Sequence, residues 1–322
     1  MIEYNRYSWW KTAFSWRGTA LSRIAGRVLL FTLYAATVQL AYIAGVGFGL
    51  FEHVFGIDPV AHSVLGSLLG FLIVFRMNAS NARYWEGRSS WGQIINSSRN
   101  LVRIGSEYSK DSQELAGLVT GYSICLRRSL QGLRGSEDTE LYLSEEVRKS
   151  VDSFGNSPTA VTAATSSWIA DRYHAGVFNE VIVRQLEEQL SKIVDSQGAC
   201  EKIQKTPLPF VYVVMVKQLI VAYLLTLPAV LCERCGWWSP LLMAVVSLGL
   251  FGMEEASVEI EDPFGTDDNC LDMQAFTLTI ARDAGQLARR ATKRSMKVQP
   301  TVSESALDLH SKSSNPYQLV QQ

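Results

Sequence analysis

Seven carboxylates, Glu254, Glu255, Glu259, Glu261, Asp262, Asp267 and Asp268, fall within 15 residues around the turn Asp262-Pro-Phe-Gly265. Like charges this close repel unless a cation, a basic partner or a helix N-terminus offsets them. A calcium ion takes roughly six to eight oxygen ligands, and the simpler role is an acidic turn that caps the helix after it. The histidines His53, His62, His174 and His310 are scattered, without the spacing of a zinc site. Cys232 and Cys235 form a lone Cys-x-x-Cys pair, open to a disulfide or redox role or to a plain structural one. No phosphate loop, dinucleotide fingerprint or nucleophile elbow is present. The residue types therefore give no enzyme, and no cofactor is expected, with calcium at the acidic turn the one ion to weigh.

A second pattern is a stripe. Ser67, Phe71 and Phe75 are spaced by four and share one side of a helix, with Gly66 and Gly70 beside them. The stripe fits two roles: phenylalanines facing lipid while the glycines admit a neighbouring helix, or a hydrophobic pore constriction repeated around a symmetric ring. In the second role the electropositive edge of a Phe ring tolerates an anion better than a cation. The stretch Arg76-Met-Asn-Ala-Ser-Asn-Ala-Arg83-Tyr-Trp-Glu-Gly-Arg88-Ser-Ser-Trp91 follows at once. It fits an interfacial belt with snorkelling side chains or a polar lattice holding helix ends or subunits together.

The elements that must position these residues are marked by missing charge. Charged residues make up 19% of the 322 and hydrophobic ones 47%, with a mean hydropathy of +0.06. Thirty Lys and Arg against 31 Asp and Glu leave a net charge of −1, so there is no basic excess for nucleic acid. The deficit is concentrated in runs: Val28 to Leu50, Pro59 to Phe75, Phe210 to Leu231 (interrupted by Lys217 and Gln218) and Gly236 to Met253. At about 1.5 Å per residue, helices of these lengths span, or at the short end nearly span, a hydrocarbon core of roughly 30 Å. The pattern predicts an all-α integral membrane protein with four transmembrane helices in two hairpins and a large cytosolic helical region. The second span, the shortest, is free to continue past Arg76 as an aqueous extension. Pro207 and Pro209 suit the entry of the third span, and Trp237 and Trp238 suit an interface before the fourth.

Arg6, Lys11, Arg17, Arg23 and Arg27 precede the first span, and Arg76, Arg83, Arg88, Arg99 and Arg103 follow the second. The link Phe51 to Ile57 has no Lys or Arg, which puts both termini in the cytosol. The expected organisation is an N-terminal cytosolic segment (1–27), a first transmembrane hairpin carrying the pore helix (28–78) and a cytosolic helical region (79–208). A second transmembrane hairpin (209–254), the acidic turn with its helix (255–300) and a flexible tail (301–322) complete it. The cytosolic region is too long for a passive loop. Apolar periodicity predicts helices over Ile94 to Leu133 and Asn179 to Ile203, with Gly135 to Thr165 a looser connection. A last helix is expected from Leu271 to Lys297, capped by Asp268 or Asn269.

Four ordered motifs carry a resemblance: Trp16-Arg17-Gly18-Thr19, Phe75-Arg76-Met-Asn78 with Arg83-Tyr84-Trp85-Glu86 and Trp91, Thr206-Pro207-Leu208-Pro209, and Glu259-Ile-Glu-Asp262-Pro263-Phe264-Gly265. From residue 5 to about 295 the chain resembles the bestrophin family of membrane channels, in its bacterial, bestrophin-like branch. The resemblance implies a homopentamer with one axial pore in a bacterial inner or plasma membrane, surrounded by lipid. It implies a pore neck at Ser67, Phe71 and Phe75, with Ser67 smaller than the apolar residue often found there, and a cytosolic aperture at Val181. In calcium-activated animal members a clasp is built from the acidic turn and the N-terminal backbone. Glu259, Asp262 and Asp267 match it, but Cys270 stands where a last carboxylate belongs, and a thiol is a poor ligand for a hard cation. The turn then serves as a structural brace. The resulting expectation is a channel passing chloride and other small anions, against a monovalent cation channel of the same fold or a non-conducting membrane scaffold.

Overall fold

The computed structural model describes residues 7–16, 18–47, 57–109 and 112–311, with side chains through residue 294. Arg6, Arg17, His53, nearly all of the link Phe51 to Ile57, the side chain of His310 and residues 312–322 of the expected tail lie outside the described residues. Among the described residues every regular element is helical. They are α1 (Trp9–Ala13), α2 (Leu21–Gly47), α3 (Pro59–Tyr108), α4 (Ser112–Leu130), α5 (Glu145–Ser153), α6 (Ser157–His174), α7 (Glu180–Lys205), α8 (Phe210–Cys235), α9 (Ser239–Glu261) and α10 (Met273–Ser311). The chain divides into two compact units, residues 1–88 with 201–271 and residues 89–200 with 272–322.

The first unit holds the apolar runs. Among the described residues three helical stretches are long and apolar enough to cross a membrane: Leu21–Gly47, Pro59–Tyr108 and Phe210–Glu261. The last of these contains two helices. α8 ends where Gly236 takes φ 51°, a backbone that a side chain resists, and a 3-10 turn at Gly236–Trp238 leads into α9 with Pro240 in its first turn. α8 and α9 pack on each other and both pack on α2. With the first part of α3 (Pro59–Tyr108) they share a core of Ile24, Ala35, Leu69, Ile73, Val216, Ile220, Leu224, Leu227, Met243 and Phe251. α3 starts with a cap in which Asp58 Oδ1 accepts the N–H of Val60 at 2.8 Å, followed by Pro59 at a position where its missing N–H costs nothing. No later proline interrupts it, so it runs for 50 residues, well past Arg76.

The second unit is built on α4, which packs against α6 and α10, while α5 packs on α6. The helicity expected over Ile94 to Leu133 is divided between α3, which ends at Tyr108, and α4, which begins at Ser112. Three expectations are corrected here. Gly135 to Thr165 is not a loose connection but carries α5 and the first half of α6. Its polar residues are caps: Ser144 Oγ accepts from Val147 N, and Asn156 Oδ1 accepts from Thr159 N with Pro158 in the first turn. The cap of α10 is Asp272, whose Oδ1 accepts from Ala275 N at 2.9 Å, and not Asp268 or Asn269. That helix also continues beyond Lys297 to Ser311, through Pro300 and into the stretch expected as a flexible tail.

Candidate functional site

The two sides of α3 differ sharply. Leu69, Ile73, Arg76 and Ser80 recur every three or four residues and are buried. Ser67, Phe71 and Phe75 lie on the other side, with Phe71 65% and Phe75 62% exposed and Ser67 exposed as well. Gly66 does what the sequence pattern allows a glycine to do: a Cβ there would lie 2.8 Å from Tyr223 Oη on α8, so its absence permits close approach. Tyr212 Oη also donates to Leu72 O at 3.1 Å, tying α8 to α3. Ser67 Oγ donates to Ser63 O at 3.0 Å and Ser63 Oγ to Pro59 O at 2.8 Å, so both hydroxyl protons turn into the helix. Ser67, Phe71 and Phe75 thus form a mainly apolar stripe that its own unit leaves exposed.

What fixes the rotation of α3 is a buried charge cluster that spacing did not reveal. Arg76 is 1% exposed, and its Nη1 lies 2.9 Å from Oε1 of Glu254, itself 3% exposed. Lys217 Nζ is 3.3 Å from the same oxygen, Arg27 reaches Glu254 at 3.9 Å and Glu255 at 3.0 Å, and Arg76 Nη2 is 3.9 Å from Glu261. Charges this deeply buried persist only when paired. The sequence signal was there: Arg76 closes the second uncharged run as Glu254 closes the fourth. One turn on, Ser80 and Ser257 share a hydrogen bond of 2.9 Å. Arg83 then donates to Ile203 O and Thr206 O, each at 2.6 Å, and to Glu261 O at 3.1 Å. A guanidinium there neutralises the negative C-terminal end of α7. Lys202 pairs with Glu86 at 2.6 Å. Gly87 admits the turn after α9, since a Cβ would meet Phe264 Cζ at 2.9 Å. From Arg76 to Arg88 the juxtamembrane motif is therefore a polar lattice within this unit, although Trp85 remains exposed.

The acidic turn is filled from within the chain. Arg23 Nη2 lies 2.9 Å from Asp267, and its Nη1 lies 3.4 Å from Glu259 and 3.8 Å from Glu255. Asn269 Nδ2 donates to Glu259 Oε2 at 2.7 Å and to the carbonyl of Gly18 at 3.1 Å. Asp262 Oδ1 accepts from Phe264 N at 3.1 Å. Burial pushes the Cys270 thiol above its ordinary value, the carboxylates of Asp267 and Asp262 add to this, and the protonated Sγ faces Asp262 O at 3.5 Å. A guanidinium and an amide thus take the carboxylate and carbonyl oxygens that a clasped cation would need. The donor set does not fit calcium.

In the second unit Val181 is the second residue of α7, exposed beside the buried Ile182, where Asn179 Oδ1 accepts from Ile182 N at 3.0 Å. Cys232, buried, and Cys235 are both free thiols.

A chain built only of helices among its described residues, with several stretches able to cross a membrane and an apolar stripe turned away from its own core, defines a class of multi-helix membrane proteins. The chain matches the family model described as Bacterial/Fungal Bestrophin protein over residues 1–286. It is 32% identical over 292 residues to a voltage-dependent anion channel-forming protein of Nostoc sp., covering 87% of this chain and 91% of that one. It is 28% identical over 292 residues to the voltage-dependent anion channel-forming protein YneE of Escherichia coli, covering 89% and 94%. A bacterial bestrophin homolog from Klebsiella pneumoniae shares the fold, with a TM-score of 0.78 at 24% identity over 85% of this chain and 99% of that one. The chain belongs to the bestrophin family.

Proposed function

We propose that this protein is a passive channel for chloride and other small anions, a homopentamer around one axial pore. Each chain would cross a bacterial inner or plasma membrane four times, as α2, the first part of α3, α8 and α9, with both termini in the cytosol. Phe71 and Phe75 form the neck, Ser67 its outer rim and Val181 the inner aperture. The observation that carries this reading is the exposed Ser67–Phe71–Phe75 stripe on a helix whose other side is locked by buried packing and charge. Around a ring, such a stripe gives a narrow, poorly wetted constriction lined by ring edges that favour anions. The names of the Nostoc and Escherichia coli relatives support anion conduction. The monovalent cation alternative draws on the acidic cluster to concentrate cations, yet Glu254, Glu255, Glu259 and Asp267 are each paired with Arg or Lys. That pairing reduces, without cancelling, the negative potential that would attract them, since Arg23, Arg27, Arg76 and Lys217 face seven carboxylates.

Planar bilayer recording under a potassium chloride gradient decides the ion, because the sign of the reversal potential follows the permeant charge. The double substitution Phe71→Ala and Phe75→Ala is expected to raise conductance, and an unchanged conductance would sink the neck assignment. A purified oligomer silent across pH would instead favour the scaffold.

A further inference from the structure

α1 is a short helix with no buried residue. Trp9 is 67%, Trp10 70% and Phe14 80% exposed, and Trp16 just beyond is exposed too. These rings are not splayed at random. Trp9 and Trp10 meet edge to face with centroids 4.7 Å apart, and Trp10 stacks on Phe14 at 6.1 Å. Thr12 Oγ1 donates to Ser8 O at 2.9 Å, steadying the single turn. The result is a preformed aromatic surface that its own unit leaves uncovered.

Its charge is one-sided. No Asp or Glu occurs between Glu3 and Glu52, while Arg6, Lys11 and Arg17 bracket the aromatics. The segment ends only a few residues before Leu21, where α2 and the first apolar stretch begin. Indole rings prefer the headgroup layer, with the ring in apolar surroundings and the N–H near water. Lysine and arginine beside a membrane are drawn to anionic headgroups. A short chain connection to a spanning helix keeps the segment at that layer, and the absence of carboxylates removes the repulsion that would lift it off.

We propose that the segment Trp9–Trp16 docks on an anionic lipid headgroup surface next to the first span. This rests on the membrane-spanning reading above. A second copy of the chain is the competing occupant, and it lacks the specific argument that aromatic and basic residues at the edge of a span supply.

The test uses the full-length chain in vesicles of mixed phosphatidylglycerol and phosphatidylcholine, with and without brominated acyl chains. The conservative pair Trp9→Phe and Trp10→Phe removes two indoles while keeping apolar rings, so the difference from wild-type emission isolates them. The expected result is that the bromine-quenched component is lost in the variant, and that Lys11→Glu lowers quenching in anionic but not in neutral vesicles. Difference emission quenched by aqueous iodide and not by bromine would overturn the proposal by placing the indoles in water. Emission shielded from both quenchers, with Lys11 cross-linking between copies, would overturn it in favour of a second chain. Lys11→Glu without effect in anionic vesicles would overturn the headgroup charge argument. Extraction of the protein from the vesicles by alkaline carbonate would overturn the spanning reading itself, a failure separate from water-exposed indoles on a retained protein.

Discussion

The buried pair of Arg76 and Glu254 makes an asymmetric prediction. Removing one member of a buried ion pair costs about 3–5 kcal/mol, because the other charge is left uncompensated. After Glu254→Gln, Arg76 at 1% exposure keeps, among the described residues, Glu261 at 3.9 Å as its carboxylate neighbour. The full cost of about 3–5 kcal/mol is expected. After Arg76→Met, Glu254 keeps Lys217 at 3.3 Å and Arg27 at 3.9 Å, and both cations are about half exposed and free to follow it. Its loss is then closer to that of an imperfectly satisfied polar group, about 1–3 kcal/mol. The double variant carries neither charge and should recover part of the sum, with a coupling of roughly 0.5–3 kcal/mol. The assay is the unfolding midpoint of the purified oligomer in detergent at neutral pH. At about 2–4 °C per kcal/mol for a sizeable domain, Glu254→Gln falls by roughly 6–20 °C and Arg76→Met by less. An Arg76→Met loss as large as that of Glu254→Gln, or strict additivity in the double variant, would refute the idea that this pair fixes α3.

Two further outcomes concern the polar regions. Arg23→Ala removes the guanidinium shared by Glu255, Glu259 and Asp267, and because Arg23 is exposed and screened by solvent only a small fall in the unfolding midpoint is expected. The unfolding midpoint of the unsubstituted protein should be the same with calcium and with a chelator; a rise with calcium would show that a cation displaces Arg23. In the second unit burial alone would raise the Asp283 carboxyl, but Arg99 at 2.7 Å and Arg282 at 3.1 Å outweigh it and hold it below the ordinary aspartate value. A carboxyl depressed by folding contributes stability that is present above its unfolded value and is lost as pH falls through the folded one. Arg99→Gln should therefore lower stability at neutral pH, with the gap to the unsubstituted protein closing in acid. A gap that persists below the folded value would point to lost packing and not to charge.

Much of the helical framework was legible in residue order. The uncharged runs mark α2, the start of α3, α8 and α9, because a helix with no charge over that length is stable only in apolar surroundings. The four-residue spacing of Ser67, Phe71 and Phe75 placed them on one side of α3, as a helical backbone requires. Less was legible where polar residues carry out local backbone tasks. Ser144 and Asn156 read as loop composition, yet each satisfies an unpaired N–H at the start of a helix. Asp272 caps α10 only a few residues after Asp267 and Asp268, and composition does not distinguish which carboxylate meets the first free N–H of the helix.

The sequence by itself determined which segments become long apolar helices, since hydrophobic period and missing charge act locally along the chain. Only the tertiary structure decided which charges meet. Arg76 reaches Glu254 across 178 positions, and Arg23 reaches Asp267 across 244. The acidic turn that looks in sequence like a place for a metal ion is, once folded, already engaged by an arginine from the start of α2. Coulomb pairing depends on distance in space, and that distance exists only after α2, α3, α8 and α9 have packed.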